Sequence, residues 1–225
     1  MLNTNNIFKF LSIINTMRIY WDVDGTLRDN SRLTFEGIYN TLKEHGIEIP
    51  KHPIKIYKIW TISSLEAIQN NQDEFKTFIQ NLSKKYNFEI DPEKIRFELK
   101  NYIHDRIAYI KPYSYVKKAL SMLSEYEHGI ISMAKKGSTL EWLKRFNLDK
   151  YFNLDLVYDG VKSKESYMEP NSIYIGDSIT DYYEVLEANT KNKNIKFFMI
   201  KRYTYNGLIK DVHFVKNVSE VAKLL

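Results

Sequence analysis

Arg18-Ile19-Tyr20-Trp21-Asp22-Val23-Asp24-Gly25-Thr26-Leu27 is the stretch on which the reading of this chain turns. An apolar, β-branched and aromatic run leads directly into two carboxylates, a glycine and a hydroxyl. The run predicts a buried strand, and Asp24-Gly25 predicts the turn that ends it. Two acids one residue apart at such a place repel each other unless positive charge lies between them. A hard divalent cation meets that need, because Mg²⁺ binds through one or two carboxylates together with phosphate oxygens. The plainer alternative is an Asp-Gly hairpin turn with an incidental second acid, and this stretch alone leaves it open.

The surrounding chain narrows the choice. Its 225 residues suffice for one large domain or a core with a smaller one, and 44% hydrophobic and 27% charged content are ordinary for a folded protein. Cysteine is absent, which excludes disulfides, thiolate nucleophiles and zinc-thiolate sites and is compatible with a reducing compartment; a cytoplasmic location is expected. A net charge of +5 could suggest an acidic partner. The basic pairs Lys84-Lys85, Lys117-Lys118, Lys135-Lys136, Lys144-Arg145 and Lys201-Arg202 are scattered, however, which favours a solvated surface over a nucleic-acid face. No apolar run has the length of a bilayer span, so no membrane association is expected. Whether the protein is a monomer or a dimer is left open.

Residues 1–16 are asparagine-rich around Ile7-Phe8-Lys9-Phe10-Leu11 and lack the basic head and cleavage site of a signal peptide. They are expected to form a poorly ordered extension. After Leu27, helical periodicity predicts four helices in succession: from Thr34 to His45-Gly46, over about 53–70, from Asp73 to Tyr86, and from an Asp91-Pro92-Glu93 start to about Ile107. No strand is expected among them, so they read as an all-helical insert. Beyond Lys111-Pro112 the pattern alternates. A helix is expected over Tyr115–Glu127, a strand over Gly129–Met133, and a helix from Ser138 to Phe146 with a Ser138/Glu141 capping box. A strand over Leu154–Tyr158, one at Ser172–Asp177, a helix over Ile179–Ala188, strands at Ile195–Ile200 and Val212–Val215, and a closing helix follow. This alternation predicts a parallel sheet covered on both faces, an α/β doubly wound core. Ligand sites in such sheets lie beyond the carboxyl ends of the strands, where Asp22, Ser132 and Asp177 all fall.

Together the strand ends offer Asp22 and Asp24, Ser132, a lysine at 162 or 164, and Asp177 with Asp181. Three carboxylates from two strands can hold Mg²⁺ and leave positions for a phosphate oxygen. One carboxylate can attack phosphorus, a neighbour can move protons, and a hydroxyl with an ammonium group can bind the phosphoryl oxygens. The five histidines have no ligand spacing, and no glycine-rich nucleotide loop is present. Tyr57, Trp60, Phe75 and Phe78 read as packing residues of the insert, and Lys55, Lys58, Arg96 and Arg106 as its solvated face.

This set resembles the haloacid-dehalogenase-like (HAD) superfamily of phosphohydrolases. Asp22-Val23-Asp24-Gly25-Thr26-Leu27 is similar to its first motif, and Ser132 after Gly129-Ile130-Ile131 to its second. Lys164, in preference to Lys162, stands for its third, and Gly176-Asp177-Ser178-Ile179-Thr180-Asp181 is similar to its fourth. The resemblance runs from about Met17 to the end. It implies a Rossmann-like core over 17–32 and 109–225, with a C1-type helical cap over 33–108. It further implies Asp22 as nucleophile and Asp24 as acid/base, with Ser132 and Lys164 as phosphate-binding catalytic groups. Asp22, the Asp24 carbonyl, Asp177 and Asp181 would be the Mg²⁺ contacts, Asp181 directly or through water. An acid at position 24 points to small phosphorylated metabolites, phosphoglycolate- or sugar-phosphate-like, rather than to dehalogenation. Three rivals remain: a phosphomutase on the same scaffold, a binding or regulatory protein without turnover, and an end-processing phosphatase on nucleic acid. Two features depart from the family pattern: Met133 where asparagine is common, and a segment from Lys164 to Gly176 about half the usual length.

Overall fold

The structure, a computed structural model, describes residues 17–201, 209 and 212–225; the expected extension over 1–16 lies outside them. Among the described residues six strands form one fully parallel sheet: β1 (Arg18–Trp21), β2 (Glu127–Ser132), β3 (Val157–Asp159), β4 (Ile173–Gly176), β5 (Lys196–Ile200) and β6 (His213–Val215). Their spatial order is β3-β2-β1-β4-β5-β6. The stretch that opens the reading is thus the central strand, with Ile19, Tyr20 and Trp21 inaccessible to solvent. Strand alternation divides the interior between the two faces. Ile19, Trp21, Ile130, Ile173, Ile175, Phe198 and Ile200 join one apolar cluster, while Tyr20, Ile131, Tyr174, Phe197 and Met199 join another. Strands buried on both faces are what a parallel sheet requires. The strand order reverses direction between β1 and β4, and a crevice opens at the carboxyl ends of strands at such a point.

Of the five helices between β1 and β2, the first four form the insert: α1 (Ser31–Glu44), α2 (Pro53–Gln69), α3 (Glu74–Tyr86) and α4 (Pro92–Ile107). They share their own apolar cluster, with Phe35, Ile38, Leu42, Ile56, Phe78, Ile79, Leu82, Ile95 and Leu99 at its centre. Local signals set their ends. The Asp73 carboxylate accepts the Lys76 amide at 2.8 Å and starts α3, Asp91 accepts the Glu93 amide at 3.0 Å and starts α4 with Pro92, and Asn87 in a left-handed conformation ends α3. The sheet is covered by α5 (Val116–Met122), α6 (Ser138–Arg145), α7 (Ile179–Thr190) and α8 (Val218–Leu224). No described helix is long and apolar enough to cross a membrane.

Local readings differ from the structure in three places. Leu154–Leu156 is a 3-10 turn, not the start of a strand, because the Asn153 side chain accepts the Asp155 amide at 3.0 Å and bends the chain before β3 begins. The Ser138/Glu141 capping box does not form. Ser138 Oγ turns back to donate to the Lys135 carbonyl at 2.6 Å, and the Asp159 carboxylate at the end of β3 caps α6 instead, accepting the Gly137 and Thr139 amides at 2.9 and 3.2 Å. The helix after Pro112 stops at Met122, and Glu127 already belongs to β2.

Beneath the sheet, His128 accepts the Trp21 indole N–H on Nδ1 at 3.0 Å, while its Nε2 lies 3.0 Å from the Leu123 carbonyl. A neutral ring with the proton on Nε2 satisfies both contacts. Burial pushes its pKa down to about 4, against the pull of that carbonyl. The unfolded chain therefore binds a proton near pH 6.5 that the folded chain refuses until about pH 4, so stability present above 6.5 is lost as pH falls. Wild type is expected to lose roughly 2.5 kcal/mol between pH 7 and 4.5 that a His128→Gln variant does not lose, by single-proton linkage. Urea unfolding at the two pH values checks this; equal losses in both proteins would refute it.

Candidate active site

The site is built where β1 and β4 end side by side. The Asp22 amide donates to the Ile175 carbonyl at 2.8 Å, so Asp22 is held on the last rung of the ladder. The chain then turns sharply, with the Val23 carbonyl accepting the Leu27 and Arg28 amides at 2.8 and 3.1 Å. Gly25 sits in this turn at φ +85°, and any Cβ there would overlap the Asp177 carboxylate. Glycine is therefore what allows the turn after β1 to pack on the acid after β4. Gly25→Ala combines left-handed strain with that overlap and is expected to cost roughly 2–4 kcal/mol; a denaturation midpoint within error of wild type would contradict this.

Lys164 is the hub. Its Nζ donates to Asp22 Oδ1 at 2.5 Å, to Asp181 Oδ1 at 2.6 Å and to the Tyr174 hydroxyl at 3.0 Å, and its side chain is 6% exposed. The lysine is presented by a single 3-10 turn, Glu165–Tyr167, which is all that the short segment after it holds. One Glu184 oxygen secures that turn by accepting the Ser163 hydroxyl and the Lys164 and Glu165 amides at 2.8–2.9 Å. Lys162 lines a different cavity, beside Glu74 and Glu184.

Asp181 is saturated by donors. Oδ1 takes Lys164 and the Tyr174 hydroxyl, while Oδ2 accepts the Asp177 amide at 3.2 Å, the Ser178 amide at 3.0 Å and Ser178 Oγ at 2.7 Å. It also closes a capping box at the start of α7, where the helix dipole favours a negative charge. Burial alone would raise its pKa, but Lys164 and Ser178 hold it below the usual range. Burial likewise pulls Lys164 down, and Asp181 and Asp22 outweigh it, so it stays charged. Asp22 has fewer donors: burial pushes it up to about 7 against the pull of Lys164. Lys164 engages its Oδ1, which leaves Oδ2 for chemistry.

Asp22, Asp24, Ser132, Lys164 and Asp177 all line one cleft of about 460 Å³, together with Trp60 and Glu74 from the helical module. Ser132 Oγ is fixed by the Ala134 amide at 3.1 Å. Asp24 Oδ1 accepts from Arg28 Nε at 2.6 Å. Glu74 spans the cleft and accepts the Thr180 hydroxyl at 3.0 Å, and burial raises its pKa. One oxygen from each of Asp22, Asp177 and Asp181 lies within 4.8 Å of the others. Such a buried set of hard oxygen donors fits a small divalent cation.

This geometry agrees with comparisons to known proteins. The family model of haloacid dehalogenase-like hydrolases matches residues 19–200. The chain belongs to that family. No curated protein sequence matches it. Among solved structures it is similar to the HAD-hydrolase candidate YfnB from Bacillus subtilis, bound to magnesium, at 14% identity and a TM-score of 0.66, over 94% of this chain and 99% of that one. A predicted phosphoglycolate phosphatase from Haemophilus somnus matches at 15% identity and 0.67, with coverage of 94% and 99%. A candidate β-phosphoglucomutase from Thermotoga maritima matches at 17% and 0.59, with coverage of 92% and 97%. At these identities the likeness establishes the HAD fold alone.

Within this HAD site, sequence reasoning did not single out Arg28, Glu74, Tyr174 or Glu184. Tyr174 is legible only as an alternating strand residue, and Glu184 only as a polar helix position. Arg28, directly after the apolar run, carries the one available signal: a buried arginine there must have a carboxylate partner.

Proposed function

We propose that this protein is a Mg²⁺-dependent phosphatase that removes phosphate from a small phosphorylated metabolite, phosphoglycolate- or sugar-phosphate-like, through an aspartyl-phosphate on Asp22. The observation that carries the reading is the buried Asp22–Lys164–Asp181 cluster at the β1/β4 crevice, in a cleft shared with Asp24, Ser132 and Asp177. Asp22, the Asp24 carbonyl and Asp177, with Asp181 behind them, would hold Mg²⁺, which would supply positive charge opposite the phosphoryl oxygens. Asp22 attacks phosphorus, the P–O ester bond breaks, and Asp24 gives its proton to the departing oxygen. In the second half Asp24 takes a proton from water, the oxygen attacks phosphorus, and Asp22 is released with inorganic phosphate. Ser132 and Lys164 hold the phosphoryl oxygens throughout. Residues 33–108 act as a cap that excludes water and reads the leaving group, with Trp60 and Glu74 as its contribution to the cleft. The magnesium-bound crystal structure of YfnB reveals interdomain movement in that protein, which supports such a role. A cytoplasmic location fits the cysteine-free chain.

Phosphate release from a panel of phosphorylated metabolites, with Mg²⁺ and with EDTA, tests the reading. Asp24→Ala is expected to slow turnover by about 10²- to 10⁴-fold, the usual weight of a general acid/base. Unchanged turnover would remove its role, and net isomerisation without phosphate release would replace the hydrolase by a mutase.

A further inference from the structure

The connection from β3 to β4 is short for what it has to do. Residues 160–172 must pass β2 and β1 and return to the amino end of the sheet before β4 begins. A parallel crossover ordinarily carries a helix of its own; here residues 160–172 form only the 3-10 turn Glu165–Tyr167. Lys164 stands at the head of that turn, where amide donors have no partner within the turn itself. Glu184 Oε2 supplies one, accepting the Ser163 hydroxyl at 2.9 Å and the Lys164 and Glu165 amides at 2.8 Å each. Glu184 lies three residues after Asp181 on α7, and residues at that spacing are neighbours on one helix face. The same face therefore holds the lysine twice, at its backbone through Glu184 and at Nζ through Asp181 Oδ1, 2.6 Å away. Lys191, at the end of α7, donates to Glu165 Oε1 at 2.9 Å, and Lys193 donates to the Glu165 carbonyl, which fastens the turn again just beyond the lysine.

We infer that Glu184 is the positioning residue of Lys164, standing in for the helix that this crossover lacks. The inference rests on the phosphate-binding role proposed for the lysine and deepens it. A lysine stem is flexible, so Nζ meets Asp22 and the phosphoryl oxygens reproducibly only from a fixed backbone. The turn has little of its own to fix it: the Tyr167 amide donates to the Lys164 carbonyl at 3.1 Å and the Met168 amide to the Glu165 carbonyl at 3.3 Å. Three donors converging on one Glu184 oxygen tie it instead to α7, whose start is locked by the Ser178/Asp181 capping box. Glu184 acts through Lys164 and not on the phosphate. What this role demands is reach, because the accepting oxygen must stand where the three donors meet.

Three substitutions separate reach from charge. Glu184→Gln keeps an oxygen at the same reach without the charge, Glu184→Asp keeps the charge one carbon–carbon bond short, and Glu184→Ala keeps neither. Each is measured with Mg²⁺, at a temperature where its own melting curve shows it folded. The readouts are calorimetric binding of inorganic phosphate and kcat/KM on p-nitrophenyl phosphate. Glu184→Ala is expected to weaken phosphate binding by about tenfold, as loss of a charge-assisted contact does. It should lower kcat/KM by about 10²-fold, the weight of a misplaced group. Glu184→Gln should recover most of both losses, and Glu184→Asp should not. Two controls bound the result. Glu187→Gln removes equal charge from the next turn of α7, and Val221→Ala opens a cavity in the apolar cluster on the other face of the sheet. Both should keep wild-type affinity and turnover, whatever they do to the melting temperature. If Glu184→Ala matches wild type, if it loses no more than Val221→Ala, or if Asp rescues where Gln does not, the inference is overturned alone. Should the alanine variant fail to fold, the order of the Gln and Asp variants decides. If wild type neither binds phosphate nor cleaves the ester, the phosphatase reading fails and takes the inference with it.

Discussion

Asp22→Asn is expected to abolish phosphate release, by on the order of 10⁴-fold or more, as loss of a nucleophile does elsewhere. An amide oxygen can still accept from Lys164, so the Lys164–Asp181–Tyr174 network should survive and the fold with it. What is lost is a carboxylate oxygen able to bond to phosphorus. The same substitution makes an opposite prediction for stability. Burial holds the Asp22 carboxyl at about 7 in the folded chain, against 3.8 for an unperturbed one. A raised carboxyl pKa means that the folded state prefers the protonated form, so stability is highest below 3.8 and falls as pH climbs through 7. Asparagine mimics the neutral form at every pH. In EDTA at pH 8 the variant is therefore expected to melt above wild type, and at pH 5 the difference should shrink. An inactive variant that is more stable than its parent is the signature of a side chain kept for chemistry at a cost to the fold. Retained turnover would remove Asp22 as nucleophile; a lower melting temperature at pH 8 would show that its charge is structural.

Much of this arrangement was legible before the structure, for physical reasons that also explain what was not. Buried parallel strands must be nearly continuous apolar runs, so β1, β2 and β4 announce themselves, and an acid at the end of such a run stands out. Asp22, Asp24 and Asp177 are visible in this way, and chain order alone brings them to one edge of the sheet. Lys164 is visible only through resemblance, since nothing local distinguishes it from Lys162. The supporting partners were hidden because each acts across a long sequence separation. Glu184 secures the lysine turn from α7, and Glu74 reaches Thr180 from α3. The failed capping box at Ser138 has the same origin: a local pattern was present, but the Asp159 carboxylate, brought close by β3, took the amides first.

Lys164→Met carries the largest expected effect on folding. The lysine is the shared cation of Asp22 and Asp181, and methionine fills similar volume without charge. Breaking a buried ion pair from one side typically costs roughly 3–5 kcal/mol, because the abandoned charge stays buried. Here two carboxylates are abandoned and face each other. For a chain of this size the cost corresponds to a fall in melting temperature of roughly 10 °C. The pH dependence should then invert relative to Asp22→Asn. Like charges cannot both ionise, so one carboxyl of the pair takes up a proton, and the penalty is smaller at pH 5 than at pH 8. Removing Asp22 as well, in Asp22→Asn/Lys164→Met, should recover part of the lost stability, because only Asp181 remains and Ser178, Tyr174 and the Asp177 amide still serve it. Lys162→Met provides the control: with no part in this network, it should melt within about 1 °C of wild type, as surface changes usually do. If Lys164→Met melts with the control and keeps its turnover, the lysine is not the hub of the site, and the division of labour among Asp22, Asp181 and Tyr174 falls with it.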